Sequence, residues 1–171
     1  MAHSTKTVRG RGPAHDKPLQ RATLAQETGQ DPYRSAKRLA EPTVCPDCRA
    51  VYEAGRWRRQ EALPGATEHV CPACRRMREH NPAGTVALDG PFFREHGAEI
   101  MALVRNVSER AGAQYPLQRL MEIDEDATGA LVSTTSAHLA RAIGRAVDSA
   151  WKGELDLDLK AEASPRVKWH R

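Results

Sequence analysis

Four cysteines are the residues best suited to chemistry in this sequence. They occur in two close pairs, Cys45-Pro46-Asp47-Cys48 and Cys71-Pro72-Ala73-Cys74, separated by 22 residues. Two residues between the cysteines of a pair allow a tight turn that directs both thiolates at one ion, and two such turns complete a tetrahedral shell. Both pairs begin Cys-Pro, and the fixed φ of proline stiffens each turn. The pattern predicts a zinc ribbon in which Cys45, Cys48, Cys71 and Cys74 hold one structural Zn²⁺ at the tips of two facing hairpins.

Other uses of the cysteine pairs are weaker alternatives. A Cys-x-x-Cys pair can be a redox centre, which requires one pair at the N-terminus of a helix that follows a strand. Iron–sulfur clusters also take four cysteines, but their usual spacings place three of them close together. A shell of four thiolates leaves no open position for metal catalysis. His69 and His80 flank the second pair and could replace a cysteine, although we expect both at the surface.

Arginines and two aromatic residues surround the cysteine pairs. Guanidinium groups bridge phosphates and stack on bases, so this composition favours RNA binding, with solvated arginines as the alternative. We expect Tyr52 and Trp57 to form the small core of the ribbon rather than to stack on bases. The arginines expected to contact nucleic acid in and beside the ribbon are Arg56, Arg58, Arg59, Arg75, Arg76 and Arg78.

The first 39 residues form a basic segment with eight Lys/Arg against three Asp/Glu, in a chain of net charge +4. Glycines and prolines interrupt it and large apolar residues are scarce, which predicts a disordered tail. Its charge favours contact with a polyanion such as RNA, although a flexible, solvated terminus is the alternative. At the end of the tail, Arg34, Lys37 and Arg38 lie close to Tyr33. This stretch could order on a phosphate-rich surface, or it could be a linker.

Residues 83–171 alternate between the periodicities of strands and helices. Leu155, Leu157 and Leu159 alternate strictly with charged residues, which is typical of a half-buried strand. The order strand, helix, strand, strand, helix, strand is that of a ferredoxin-like (βαββαβ) domain, with one extra terminal strand. We therefore predict an α+β protein with a disordered basic tail (1–39), a four-cysteine zinc ribbon (40–82) and a ferredoxin-like domain (83–171). The predicted strands are 85–89, 120–124, 130–135, 155–159 and 167–169, and the helices are 92–110 and a second that begins after Ser136.

Several classes of protein do not fit the sequence. No apolar run approaches the length of about 20 residues that spans a bilayer. The N-terminus lacks the apolar core of a secretory signal, so we expect a cytoplasmic protein with reduced thiols. No glycine-rich phosphate loop, nucleophile elbow or hydrolytic metal motif occurs. The acidic cluster Asp124-Glu125-Asp126 falls in a predicted hairpin turn, where such residues are common. We expect neither an enzyme nor a small-molecule substrate.

The cysteine pairs, together with Tyr52, Gly55-Arg56-Trp57 and Arg75-Arg76, resemble a family of small bacterial zinc-ribbon proteins of poorly defined role. That family is distantly similar to the N-terminal zinc region of the archaeal and eukaryotic adaptor that, in eukaryotes, escorts the large ribosomal subunit out of the nucleus. Residues 126–140 also look like a segment that follows the adaptor's zinc modules, where an acidic-glycine turn leads into a strand and a helix.

The resemblance covers roughly residues 31–160. The adaptor carries more cysteines and further domains, and export has no meaning in a bacterium. The resemblance therefore implies contact with the large ribosomal subunit or its RNA, and no more. The function expected is that of a non-enzymatic zinc-ribbon protein associated with the ribosome, as an assembly, quality-control or stress/dormancy factor. A DNA-associated transcriptional regulator and a protein-binding scaffold with a structural zinc are the alternatives, and the sequence leaves the oligomeric state open.

Overall fold

The computed structural model describes Tyr33, residues 38–158 and residues 166–171. A boundary between Arg34 and Ser35 divides the chain into two units, and apart from Tyr33 all the described residues belong to the second. The predicted basic tail, including Arg34 and Lys37, lies outside the described residues apart from Tyr33, Arg38 and Leu39. The described residues of the second unit form two β-sheets and three helices, which confirms a mixed α+β protein.

A small sheet carries the first half of this unit. Its strands are β1 (Thr43–Val44), β2 (Val51–Glu53), β3 (Arg56–Arg58) and β4 (Thr67–Glu68), in the order β3-β2-β1-β4. β1, β2 and β3 are antiparallel neighbours, whereas β4 pairs with β1 in parallel. Ala54 and Gly55 make the turn between β2 and β3 with φ of 48° and 73°, and the carboxylate of Glu41 accepts hydrogen bonds from both backbone N–H groups. Helix α1 (Pro72–Arg78) follows β4.

The two cysteine pairs do not lie at the tips of two facing hairpins. The first pair does occupy the turn between β1 and β2, as predicted. The second pair, however, begins α1: Cys71 is the N-cap residue and Pro72 occupies the first turn of the helix. Proline is favourable there because the first helical N–H groups have no partner within the helix. The prediction of a second hairpin was wrong because the same Cys-Pro pair also suits the start of a helix.

The larger sheet has five strands, and two helices accompany it. The strands are β5 (Gly84–Asp89), β6 (Leu120–Glu125), β7 (Gly129–Thr134), β8 (Glu154–Asp158) and β9 (Arg166–His170), and the helices are α2 (Pro91–Gln114) and α3 (Ala137–Trp151). Ser136 is the N-cap of α3, and its side chain accepts a hydrogen bond from the N–H of His138, as the sequence predicted. The order of elements along the chain agrees with the prediction for the described residues; Leu159, predicted to extend β8, lies outside them.

The order of strands in space is β6-β7-β5-β9-β8, so the extra terminal strand is inside the sheet. β9 is parallel to β5 and antiparallel to β8, and it separates these two strands. The four-stranded ferredoxin-like order is therefore not confirmed. The burial of β9 gives the physical reason: Val167 is 1% and Trp169 0% exposed, whereas β8 alternates leucines with acidic residues. Charged residues are tolerated at a sheet edge, and large apolar ones are more stable in the interior.

The core lies between one face of the large sheet and the helices α2 and α3. α3 approaches the sheet closely at Gly144, where a Cβ atom would lie 2.4 Å from Val167 Cγ1 and 3.2 Å from Leu155 Cδ1. On the opposite face of the sheet, Leu131 is 46% exposed. No helix in the described ranges combines the length and apolar content needed to cross a bilayer. The fully buried residues include Val86, Leu88, Ile100, Val104, Val132, Leu139, Ile143, Val147 and Trp169.

Candidate metal centre

The four cysteine sulfurs lie within 4.8 Å of one another, as the spacing predicted. The Sγ atoms of Cys48 and Cys71 are 3.7 Å apart. A disulfide would require about 2.05 Å, and all four cysteines are free thiols. One sulfur atom from each residue therefore points into a common space that can hold a single metal ion.

Parallel pairing of β1 and β4 brings the two cysteine pairs together. Because both strands run in the same direction, their carboxyl ends meet at one edge of the small sheet. Cys45 follows β1 directly, and the hydrogen bond from His69 N–H to the carbonyl of Val44 (3.0 Å) extends the pairing toward Cys71. Cys71 N–H then donates to Cys45 Sγ at 3.3 Å. Two segments that are far apart in sequence thus deliver their thiols to the same place.

Each pair is held by a tight local turn. In the first, Cys45 N–H donates to the carbonyl of Ala50 (2.8 Å) and Arg49 N–H donates to the carbonyl of Cys45 (2.9 Å). Arg49 has φ of 62°, the left-handed conformation that lets the chain reverse here. In the second, Cys74 N–H donates to Cys71 Sγ at 3.4 Å across the first turn of α1.

Burial controls the ionisation of these thiols. Cys45 and Cys71 are completely buried and Cys74 is 4% exposed, whereas Cys48 is half-buried. Burial raises the pKa of Cys71 strongly and raises that of Cys74 to about 11. It also opposes ionisation of Cys45, but hydrogen bonds from the N–H groups of Cys71, Cys48 and Asp47 lower the pKa of that thiol. Several buried thiolates repel one another, so full ionisation of the cluster requires a cation among them.

The redox alternative meets its structural requirement but not its chemical one. Cys71 does lie at the N-terminus of a helix that follows a strand. The reactive thiol of a redox Cys-x-x-Cys pair is, however, accessible and has a lowered pKa. Cys71 is buried, and its pKa is raised by that burial. Its sulfur also lies against the other pair, which a redox centre would not need. The arrangement favours metal binding.

The two histidines near the cysteines lie at the surface as predicted, whereas the two aromatic residues are less buried than the predicted core. His69 and His80 are exposed, and the described groups of potential ligands include neither of them. Trp57 packs against the cysteine cluster, and its ring lies 5.5 Å from that of Tyr52 at an angle of 56°. Both side chains are half-buried; Trp57 packs against the cluster and Tyr52 packs against Trp57.

Most of the arginines that were predicted to contact nucleic acid, and that the structure describes, are exposed. Arg56 and Arg58 lie on the same face of β3, at the edge of the small sheet. Arg75 is exposed beside Glu79, with their charged groups 3.9 Å apart, and Arg78 is exposed and paired with Asp47. Arg38 is also exposed, with Glu41 at 3.7 Å.

Two of the predicted nucleic-acid contacts instead serve the protein itself. Arg76 is only 6% exposed, and its Nη1 donates to the carbonyl of Asn81 at 3.1 Å. Arg59 donates from Nε to the carbonyl of Gly112 at 2.9 Å, near the C-terminus of α2, where a cation is favourable. Burial and this anchoring contact argue against phosphate binding by Arg76 and Arg59. Arg34 and Lys37 lie outside the described residues.

Arg119 is a site residue that the sequence did not indicate. It precedes β6 directly, and its guanidinium donates to Cys74 Sγ at 3.3 Å and to Met77 Sδ at 3.0 Å. Burial alone would lower the pKa of Arg119, but the hydrogen bond to Cys74 and the nearby thiolates raise it, so the side chain is a cation. Leu117 also packs against the cysteine cluster. Neither residue belongs to a local motif, because both reach the cluster only through the tertiary fold.

Comparison of the chain with protein-family models, with curated proteins and with solved structures gives no match.

Proposed function

We propose that the four cysteines bind one structural Zn²⁺. Zinc bound by four thiolates is tetrahedral with Zn–S bonds of about 2.3 Å, which gives sulfur–sulfur edges of about 3.8 Å. The separation of 3.7 Å between the Sγ atoms of Cys48 and Cys71 matches such an edge. Four soft, negatively charged donors suit zinc, and the ion supplies the positive charge that the crowded thiolates need. A complete shell of protein ligands gives this site a structural role rather than a catalytic one.

We further propose that the zinc-bearing part of the protein associates with RNA. The observation that carries this proposal is the pair Arg56 and Arg58, which are exposed side by side on an edge strand next to the metal centre. Residues two apart on one face of a strand are about 7 Å apart, a spacing that lets two guanidinium groups contact neighbouring phosphates. Arg49 adds a further exposed cation in the turn between β1 and β2.

The partner that we propose is the ribosome, through its large subunit, with the protein acting as an assembly, quality-control or dormancy factor. Two observations support it: the resemblance of the cysteine-containing segment, and a net charge of +4 with a basic N-terminal segment. Polyanion binding by exposed arginines is electrostatic and falls steeply with salt. The proposed function is non-enzymatic, and its signature is a salt-dependent association.

The test compares binding of the full-length protein to a structured fragment of large-subunit ribosomal RNA at several salt concentrations. The variant Arg56→Ala/Arg58→Ala should bind more weakly, and the slope of log K against log salt should fall by about 0.7–0.9 per lost phosphate contact. The matched control is Arg94→Ala/Arg105→Ala, which removes the same charge from exposed positions on α2. The control should bind more like the unaltered protein.

Equal losses in the two double variants would mean that only net charge matters and would refute a phosphate-binding edge at β3. A preference for duplex DNA over RNA at matched salt would favour the transcriptional regulator. The protein could instead bind a partner in lysate in a way that does not respond to salt. If Leu131→Arg on the exposed sheet face abolishes that binding, the result would favour the scaffold. Sedimentation of the native protein with the large subunit at low salt, with release at high salt, would support the ribosomal partner.

A further inference from the structure

The side chain of Arg119 reaches from the start of β6 in the large sheet to the metal centre. Its two terminal nitrogens contact two sulfur atoms on α1, those of Cys74 (3.3 Å) and Met77 (3.0 Å). These residues are three positions apart and therefore lie on the same side of the helix. A guanidinium group is planar and rigid, so two contacts fix the orientation of α1 more strongly than one would.

The backbone of Arg119 is in turn fixed by the end of β7. Arg119 N–H donates to Thr135 Oγ1 at 2.8 Å, and Thr135 N–H donates to the carbonyl of Arg119 at 3.0 Å. Thr135 Oγ1 also donates to the carbonyl of Leu117 at 2.7 Å, and Thr135 is only 7% exposed. The position of the guanidinium is thus set by the large sheet, whereas its acceptors belong to the metal centre.

The geometry of this contact links it to metal binding. Cys74 Sγ accepts a hydrogen bond from Arg119 and also faces the space that the four sulfurs share. Four thiolates around one divalent cation would carry a net negative charge, and the guanidinium of Arg119 is a cation that hydrogen-bonds to one of them. Groups that hydrogen-bond to metal ligands orient them and raise metal affinity.

We propose that Arg119 is a positioning residue that couples metal binding to the docking of the cysteine cluster on the large sheet. The metal-loaded centre holds Arg119 tightly, and Arg119 in turn holds Cys74 in place for the metal. By thermodynamic reciprocity, the factor by which Arg119 strengthens metal binding equals the factor by which the metal strengthens docking. The inference rests on the proposed metal site, but it does not depend on RNA binding.

The first experiment loads full-length protein with Co²⁺ as the probe ion and measures its release to a chelator. Arg119→Gln should release the ion about 10-fold faster or more, which is the usual effect of losing a partner of a metal ligand. Its thiolate-to-cobalt absorption band should also shift, because Cys74 loses a charged hydrogen-bond donor. Arg119→Lys should lie in between, since an ammonium keeps the charge but not the two-pronged contact. The control Arg105→Gln removes an exposed arginine from α2 and should change neither readout.

The second experiment follows hydrogen exchange at the amide of Thr135, which donates to the carbonyl of Arg119. Metal should slow this exchange in the unaltered protein and much less in Arg119→Gln. The inference is overturned if Arg119→Gln changes neither the rate of Co²⁺ release nor the thiolate-to-cobalt absorption band. It is also overturned if metal slows exchange of the Thr135 amide equally in both proteins. If Arg119→Gln does not fold, Arg119→Lys decides the question by the same readouts. Failure of the unaltered protein to bind Co²⁺ would overturn the proposed metal site, and the inference with it.

Discussion

Gly144→Ala should destabilise the protein, although alanine is the better helix former. Gly144 lies within α3, and a Cβ atom there would be 2.4 Å from Val167 Cγ1 and 3.2 Å from Leu155 Cδ1. Carbon atoms in contact prefer separations of about 3.5–4.0 Å. The added methyl group must therefore move α3 away from β8 and β9, or force Val167 into a poorer rotamer. Val167 is 1% exposed and has no free space on the solvent side.

The expected magnitude is the difference of two terms. Alanine in place of glycine in a helix interior stabilises by about 1 kcal/mol. Overpacking of a well-filled core costs about 1–3 kcal/mol. The Cβ atom would lie more than 1 Å inside the preferred carbon–carbon separation, so we expect an overpacking cost near the top of that range. Subtracting the helix term leaves a net loss of about 1–2 kcal/mol in the free energy of unfolding. Without the contact with β9, the same substitution would stabilise the protein.

The assay is urea unfolding of four proteins that form a double-mutant cycle: unaltered, Gly144→Ala, Val167→Ala and the combination. Val167→Ala alone should cost about 2 kcal/mol, since two methyl groups leave the core. In the combination the new methyl group occupies the vacated space. The loss in free energy of unfolding should then be at least about 1 kcal/mol smaller than the sum of the two single losses. Gly97→Ala in α2 is the control. A Cβ atom there would lie 3.3 Å from the ring of Phe93, so this substitution should lower the free energy of unfolding less than Gly144→Ala does.

Two results would refute this reasoning. Stabilisation by Gly144→Ala would mean that α3 does not press on β9 at this point. Additivity of the two substitutions within about 0.5 kcal/mol would mean that residues 144 and 167 are not in contact. Either result would count against β9 as an interior strand, because the close approach of α3 to Val167 depends on that position.

Two further predictions concern the metal centre and the β6–β7 turn. Cys71→Ser should reduce the bound metal from one ion per chain to almost none, whereas His69→Ala, an exposed control outside the cluster, should retain it; elemental analysis after desalting measures both. Asp126 has a lowered pKa because its Oδ1 accepts hydrogen bonds from Thr128 Oγ1, Thr128 N–H and Gly129 N–H. The stabilisation is present above the unfolded-state pKa of about 3.9 and is lost as the pH falls through the lower pKa of the folded state. Asp126→Ala should therefore lower the urea midpoint at pH 7, and the difference from the unaltered protein should shrink progressively below pH ~4. A difference that persists unchanged at low pH would contradict this explanation.

The elements of the large sheet could be predicted because each depends on local patterns. The alternation of apolar residues marked the strands, and Ser136 marked the start of α3. The position of β9 could not be predicted in the same way. Val167 and Trp169 alternate with charged residues as any half-buried strand does, and this pattern does not say which neighbours the strand pairs with. Only the full burial of Trp169 distinguishes an interior strand from an edge strand.

The four cysteines of the proposed metal site could be predicted, but the residues around them only in part. Two Cys-x-x-Cys pairs specify a cluster of sulfurs whatever strands carry them, so the cluster follows from spacing alone. The exposure of an arginine does not follow from spacing. Arg75 and Arg76 are neighbours in α1, yet successive helical residues point in different directions, and only Arg76 is buried. Arg119 reaches the cluster from 45 positions away, which no local pattern reveals.

The interior position of β9 also has a consequence for synthesis of the chain. β5, β6 and β7 precede it by many residues and can pair as soon as they leave the ribosome, whereas β8 has no place in the sheet until β9 has been made. Until then the nascent chain presents an unpaired edge of β5 and the uncovered apolar residues beside it. Such edges pair readily with other chains, so newly made molecules are most vulnerable to aggregation before β9 emerges. Once β9 is in place, its parallel pairing with β5 closes that edge, and hydrogen bonds from Arg171 N–H to the carbonyl of Asp89 and from Phe92 N–H to the carbonyl of Arg171 extend the pairing.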